Sequence, residues 1–113
     1  MIQISIYQDS QKKCVGFRSK GHADYADSGK DIICSAVSIL VISTINAIET
    51  YSEDEFHVDS DEGEGIIEFR LDRQPSHEAE LLLNAMILGL ESMASNDNYS
   101  KYIYVDFEEV QQL

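Results

Sequence analysis

The N-terminal region alternates apolar and polar residues in the manner of half-buried strands. Isoleucines at every second position place one apolar face on residues 2–8, and a similar alternation recurs over roughly 13–20. Polar residues fill the segment 8–11 between them, which is typical of a turn, so the two strands are predicted to form a hairpin. The following segment, 21–30, has no apolar rhythm and is predicted to be a loop.

The pattern changes abruptly at Asp31, after which apolar residues recur with the spacing of a helix. Ile39 and Ile42 widen the apolar face almost all round, which predicts a central and mostly buried helix. Ser28 lies three residues before Asp31 at the spacing of a capping box, although Asp31 could itself be the cap. Either start leaves Cys34 in the first turn or just beyond it.

The second half of the chain predicts a hairpin, a second helix and a last strand. Acidic residues and glycines alternate over 61–65, which indicates a hairpin turn between two short strands. Pro75 and Ser76 are predicted to open an amphipathic helix, and the polar segment 96–98 ends it. The predicted strands of this half lie at 56–58, 67–71 and 103–107.

This order of elements, ββαββαβ, predicts an α+β fold with two helices packed on one face of a mainly antiparallel sheet. The chain of 113 residues is close to the commonest domain size, so we expect a single domain over 1–113. Hydrophobic residues make up 43% of it, which is enough for one packed core without a disulfide or a metal. Cys14, in the second predicted strand, is expected to be a packing residue.

The charge of the chain is strongly one-sided. Twenty-one acidic residues oppose eight basic ones, giving a net charge of −13. Phosphate binding depends on clusters of Lys and Arg that are missing here, so nucleic acid is not expected as a direct partner. An acidic surface would speed the approach of a basic protein, and a charge that only maintains solubility explains the number equally well.

Membrane and metal partners are not expected either. The alternating start of the chain is unlike a signal peptide, and apolar runs are interrupted by polar residues before the ~20 residues of a membrane span. We therefore expect a cytoplasmic protein. His57 and His77 have no second ligand at a spacing that suggests zinc, so no metal or other cofactor is predicted.

Cys34 and His22 together form a candidate catalytic pair. A thiol is a nucleophile only as thiolate, and a helix N-terminus or a neighbouring imidazolium favours that form. Cys34 lies near a predicted helix N-terminus. His22 would supply the imidazolium if the loop between the two residues folds back across the start of the helix. By spacing alone, an inert core cysteine is commoner than a catalytic one. The glycine-containing loop that carries a histidine towards the helix favours catalysis.

Two further residues near Cys34 have open roles. Asp31 lies on nearly the same helix face and could orient the imidazole of His22, as the third member of a triad does, or only cap the helix. By itself its carboxylate would raise the pKa of the thiol through repulsion. Ser38, one turn after Cys34, could donate a hydrogen bond to the thiolate or the substrate, or be simply a small polar helix residue.

The segment from Gly21 to Ser38 resembles the signature of the ribosomal-processing cysteine protease family, Prp. The matching motifs are Gly21-His22-Ala23, then Gly29-Lys30-Asp31-Ile32-Ile33-Cys34, then Ala36 and Ser38. The resemblance implies a homodimeric peptidase with Cys34 as nucleophile and His22 as general acid/base, and Gly21 and Ser38 are assigned to substrate binding. It also implies the substrate, the N-terminal extension of ribosomal protein L-twenty-seven, cleaved beside paired aromatic residues.

The segment departs from the family pattern in two places. Its loop lacks a glycine that the family often carries near the middle, and Ser35 stands where small apolar residues are common. Two other functions compete with the peptidase. One is a catalytically silent acidic module that binds a basic ribosomal protein, and the other is a redox sensor based on Cys34, for which no resolving cysteine lies nearby in the sequence.

Overall fold

The computed structural model describes residues 1–21 and 28–111, with the side chains of all of these except 28–31. The elements follow the predicted order ββαββαβ. They are β1 (Ile2–Gln8), β2 (Cys14–Lys20), α1 (Ser28–Tyr51), β3 (Phe56–Asp61), β4 (Ile66–Leu71), α2 (His77–Ala94) and β5 (Ile103–Glu109).

The strands form one five-stranded sheet in the order β3-β4-β2-β1-β5. Three of the four pairings are antiparallel, and they include both predicted hairpins, β1–β2 and β3–β4. The fourth is parallel, because β5 returns beside β1 after α2 with Ile2 opposite Ile103. The prediction of a mainly antiparallel sheet with two helices is therefore confirmed, and the sheet is mixed.

The core lies between one face of the sheet and the two helices. Cross-strand pairing aligns Ile6, Phe17 and Phe69 in one row, and the two phenylalanine rings stack with centroids 5.3 Å apart. Val37 and Val41 of α1 are buried against this layer. The buried residues of α2 complete the core: Ala79, Leu83, Met86, Ile87 and Leu90.

Helix α1 differs from its prediction at the start and in its burial. It begins at Ser28, inside the predicted loop, so Asp31 is its fourth residue and is excluded as the N-cap. The prediction of a mostly buried helix is wrong, since Ile32 and Ile39 are 60% and 68% exposed. The physical reason is that the sheet and α2 cover only part of a helix, and in the described residues no further layer lies outside α1.

The segment Ile32–Tyr51 of α1 is long and apolar enough to cross a membrane, with a mean hydropathy of 2.0. Polar residues do interrupt this run, among them Ser43, Thr44 and Asn46, so the expectation about apolar runs is not contradicted. The core helix of a soluble protein passes the same test, and here Val37, Val41 and Ile48 are buried in the protein core. The finding is therefore weak evidence for a membrane segment.

Helix α2 starts close to its predicted position. Ser76 is the N-cap, and its hydroxyl accepts a hydrogen bond from the Ala79 N–H at 3.1 Å. Pro75 therefore precedes the cap, whereas the prediction placed it inside the helix. The helix ends at Ala94, just before the polar segment that was predicted to end it.

Candidate active site

A groove of about 850 Å³ runs between α1 and the half of the sheet made of β2, β4 and β3. Helix α2 packs on the other side of α1, towards β5, so among the described elements α1 is the helix that lies beside the β3–β4 half of the sheet. The apolar part of the groove includes Val41 and Ile45 of α1 and Ile67 of β4. Strand order therefore creates an open channel along one flank of the helix.

Cys34 lies on this flank, half-buried and packed against the edge of the core. It is the seventh residue of α1, which places it in the second turn. A helix dipole acts mainly within the first turn, so at this position it favours a thiolate less than it would at the helix end. A catalytic Cys34 therefore depends more on a neighbouring cation than the sequence suggested.

Gly21 ends the β2 edge of the groove in a conformation that requires glycine. Its φ is 145°, and a Cβ there would lie 2.9 Å from the Met1 carbonyl oxygen. Its N–H donates a hydrogen bond of 3.1 Å to the Gly65 carbonyl, at the start of β4. The chain thus leaves β2 in close contact with β1 and hydrogen-bonded to the β3–β4 turn, immediately before the sequence reaches His22.

The structure brings three of the five predicted site residues together. Cys34, Gly21 and Ser38 all line the groove, and Ser38 is exposed there one turn beyond Cys34. His22 lies outside the described residues. The backbone of Asp31 belongs to the first turn of α1, and its side chain lies outside the described part, so its orienting role stays a prediction.

Sequence reasoning missed the contribution of the β3–β4 hairpin. The sequence predicted only a hairpin turn between two short strands, but four residues of this hairpin line the groove opposite α1: Val58, Ser60, Asp61 and Glu62. The local sequence pattern does not predict that this hairpin lines the groove, because its position depends on the pairing of β4 with β2. Asn46 was also missed, and its local pattern gave little signal, since Ser43 and Thr44 close by are polar as well.

Cys14 has the opposite environment from Cys34. It is 2% exposed, and its thiol donates a hydrogen bond of 3.3 Å to the Gly16 carbonyl. Desolvation raises the pKa of the Cys14 thiol to about 11, so it stays protonated at neutral pH. Its prediction as a packing residue is confirmed.

The described histidine and carboxylate side chains do not form a metal site. Across the side chains of residues 1–21 and 32–111, no group of three or more His, Cys, Asp or Glu is arranged to hold a metal ion. His57 Nδ1 lies 2.7 Å from an Asp72 carboxylate oxygen on the exposed surface of the β3 edge. The His57 side chain is 78% exposed, whereas Cys34 is half-buried in the groove.

Comparison with known proteins matches nearly the whole chain. The family model described as cysteine protease Prp matches residues 1–104. The ribosomal processing cysteine protease Prp of Bacillus subtilis (strain 168) is 32% identical over 97 residues, which are 82% of this chain and 87% of that protein. The protein of the same name from Staphylococcus aureus (strain Mu50 / ATCC 700699) is 25% identical over 108 residues, 96% of this chain and all of that one.

Solved structures agree with the sequence comparison. The crystal structure of an essential ribosomal processing protease Prp from S. aureus, in complex with a substrate peptide, has a TM-score of 0.87 at 24% identity. The same protease with a covalently linked product peptide has a TM-score of 0.84 at 25% identity. Each match covers 96% of this chain and 100% of the solved chain, so the α+β fold is shared over its full extent.

Proposed function

We propose, from the premise that this chain belongs to the Prp family of cysteine proteases, that Cys34 and His22 cleave peptide bonds in the groove beside α1. The observation that carries the proposal is that Cys34 of α1 and Gly21 line the same groove. His22 follows Gly21 directly in the sequence, and this adjacency to a groove-lining residue supports its pairing with Cys34 in the proposal.

The chemistry proceeds in two steps. The Cys34 thiolate attacks the scissile carbonyl carbon, the S–C bond forms, and the C–N bond breaks as the His22 imidazolium protonates the leaving amine. His22 then takes a proton from water, which attacks the thioester and releases the acid product and the thiolate. The covalently linked product peptide in the S. aureus protease supports such a covalent route. Asp31 is proposed as a positioning residue for the imidazole.

The walls of the groove suit an extended, basic peptide with apolar side chains. Ile45, Ile67 and Val58 offer apolar surface, while Asp61 and Glu62 place carboxylates at the hairpin end. Gly21 and Ser38 contribute backbone and a hydroxyl for hydrogen bonds to the peptide. We propose the N-terminal extension of ribosomal protein L-twenty-seven as substrate, on the strength of the family resemblance and of the net charge of −13.

The family resemblance supports two further features of this peptidase. We propose that it acts as a homodimer and that it works in the cytoplasm, where ribosomal precursors are made. Neither the catalytic pair nor the groove calls for a cofactor, since thiol and imidazole together supply nucleophile and proton transfer.

Mass spectrometry of a ribosomal-protein precursor tests the proposal directly. Wild-type protein should release the N-terminal extension, and Cys34→Ala and His22→Ala should lower turnover by at least about 1,000-fold, as is typical for loss of a nucleophile or its base. His57→Ala is the matched control, because His57 is an exposed histidine on the edge strand β3. The His57→Ala variant should cleave the precursor at the wild-type rate. Equal cleavage by wild type and Cys34→Ala would refute the proposal.

Binding of the same precursor separates the catalytically silent alternative. If wild-type protein and Cys34→Ala both bind the precursor and neither cleaves it, the chain is a binding module and the peptidase proposal is wrong. If Cys34→Ala binds and does not cleave, whereas wild type does both, the catalytic role is supported.

A further inference from the structure

One row of side chains on α1 follows the groove from the thiol to its far end. The row, here called the groove row, has four members at intervals of four residues, and all of them line the groove: Cys34, Ser38, Ile42 and Asn46. Residues four apart are neighbours on a helix surface, so these side chains form a continuous series. Each step advances about 6 Å along the helix axis, and the whole row advances about 18 Å.

The direction of the groove row follows from the connections of α1. Gly21 lies beside the β3–β4 turn, because its N–H donates a hydrogen bond to the Gly65 carbonyl. At the other end of the hairpin, β3 begins at Phe56, shortly after α1 ends at Tyr51. The groove row therefore starts near the turn, where the thiol lies, and finishes towards the opposite end of the hairpin, where Asn46 lies.

An extended peptide has nearly the same repeat as the groove row. Alternate residues of an extended chain point to the same side and are about 6.6 Å apart, close to one step of the row. With the scissile bond at the thiol, peptide residues about two, four and six positions away lie beside Ser38, Ile42 and Asn46 in turn. Val58 and Ser60 of β3, also two residues apart, line the opposite wall.

Asn46 differs chemically from the side chains around it. It is exposed, and the described residues give its side-chain amide no hydrogen bond, whereas the Thr44 hydroxyl donates to the Leu40 carbonyl at 2.7 Å. Ile45 and Val58, which line the same part of the groove, have apolar side chains. An amide has both a donor and an acceptor, and an extended peptide backbone offers the complementary pair.

We propose that Asn46 is a substrate-positioning residue whose side-chain amide hydrogen-bonds the backbone of the bound peptide about six residues from the scissile bond. The inference rests on the peptidase of the proposed function and adds a length requirement to it. Because the amide contacts backbone atoms, the requirement concerns how far the peptide extends along the groove and not which side chain its sixth residue carries. A peptide that ends short of Asn46 leaves the amide in water.

Turnover of a peptide series tests this assignment. The longest peptide carries the cleavage sequence of the precursor with seven residues on each side of the scissile bond, and the others lose one residue at a time from either end. Wild-type kcat/KM should fall about 10-fold when one end is shortened past the sixth residue, as expected for the loss of two hydrogen bonds. Asn46→Ala should show that loss on the long peptide and no further loss on the short one, because substitution and truncation remove the same contact.

Asn84→Ala is the matched control. Asn84 is an exposed asparagine of α2, which lies outside the groove, so this variant should cleave every peptide at the wild-type rate. Alanine favours a helix more than asparagine does, so both variants should fold, which circular dichroism checks. A merely structural role of Asn46 would lower the turnover of long and short peptides alike.

Three results would overturn the assignment. They are a truncation loss in Asn46→Ala as large as in wild type, a loss in Asn46→Ala that is equal for long and short peptides, and an equal loss in Asn84→Ala. In each of them wild-type protein still cleaves, so the peptidase proposal stands. Wild-type protein that cleaves neither the peptides nor the precursor would overturn both proposals.

Discussion

The two cysteines differ in the surroundings of the sulfur atom. Cys14 sits in the core at 2% exposure, where desolvation raises the pKa of its thiol to about 11. Cys34 borders an open groove on the flank of α1. Reactivity with a soluble electrophile requires both access and thiolate, and the core position denies Cys14 both.

Alkylation should therefore discriminate between the two thiols. With iodoacetamide near neutral pH, the folded protein should be labelled at Cys34 and not at Cys14, as read by peptide mass spectrometry. In denaturant both should react, because unfolding removes the burial of Cys14. Labelling of Cys14 in the folded protein at the rate of Cys34 would contradict the described core.

Gly21 is the other residue whose environment makes a strong prediction. Gly21→Ala introduces a Cβ 2.9 Å from the Met1 carbonyl at a φ of 145°, so we expect a loss of about 1–3 kcal/mol in the free energy of unfolding. Peptidase activity should fall further than stability explains, because Gly21 lines the groove and directly precedes the proposed acid/base His22 in the sequence. Urea denaturation and turnover at low temperature measure the two effects.

Gly63→Ala is the control for that substitution. Gly63 lies in the β3–β4 turn without a positive φ, and an added Cβ would lie 3.3 Å from the Asp61 carboxylate, a side chain that can move. Its stability and turnover should stay near wild type. Equal losses in the two variants would show that glycine at 21 has no special role.

At the scale of elements, helix α2 depends on an anchored N-terminus. Asp54 accepts hydrogen bonds from the Ser76 hydroxyl and, at 2.8 Å, from the Ser76 N–H, while Ser76 caps the helix. Desolvation acts to raise the pKa of Asp54, but the hydrogen bonds from Ser76 and Ser52 outweigh it and hold that pKa below its usual value of 3.8. The connection between α1 and β3 is thereby tied to the start of α2.

Asp54→Asn should weaken this anchor in a pH-dependent way. A depressed pKa in the folded state means that the carboxylate contributes stability above its unfolded pKa and loses it as pH falls through the folded value. We expect a loss of about 1 kcal/mol at neutral pH, shrinking towards zero in acid. Chemical denaturation at a series of pH values measures the difference in the free energy of unfolding between wild type and Asp54→Asn. Asp97→Asn, at an exposed position, is the control. A difference that grows as the pH falls would contradict the role assigned to Asp54.

Helix α1 shows how the environment of an element decides its function. Its apolar residues extend almost all round, and its three groups of neighbours differ: the sheet, α2 and the groove. The fourth side has no neighbour among the described residues and exposes Ile32 and Ile39. A helix predicted to be a buried core element therefore carries the proposed nucleophile on one flank and leaves another side exposed.

At the scale of the whole molecule, the net charge of −13 sets how substrates approach. Long-range attraction accelerates the encounter with a basic protein, and salt screens it, since the Debye length falls from about 10 Å at 0.1 M to about 3 Å at 1 M. We expect kcat/KM for a basic ribosomal precursor to fall several-fold across that range.

A short neutral peptide with the same cleavage sequence is the control for the salt effect. Its kcat/KM should change little, because the groove contacts are short-range and the peptide carries no charge to steer. A parallel fall for both substrates would assign the effect to the enzyme itself, and no fall for the precursor would mean that the acidic surface serves solubility alone.

Most of the element order was accessible from the sequence because its causes are local. Alternation at period two marks β1 and β2, glycines and acidic residues mark the β3–β4 turn, and Ser76 marks the start of α2. Cys34 was also identified from its place after a glycine-containing loop. Gly21 and Ser38 line the same groove as Cys34, and their assignment to substrate binding stays a prediction.

What the sequence determined by itself was thus the series of elements and the candidate thiol, because turn chemistry and side-chain periodicity act between neighbouring residues. The tertiary structure alone decided that β4 lies beside β2, that the β3–β4 hairpin forms the far wall of the groove, and that one side of α1 stays exposed. Those features depend on long-range pairing and on which layers cover a helix, and no local pattern encodes how many neighbours an apolar face will find.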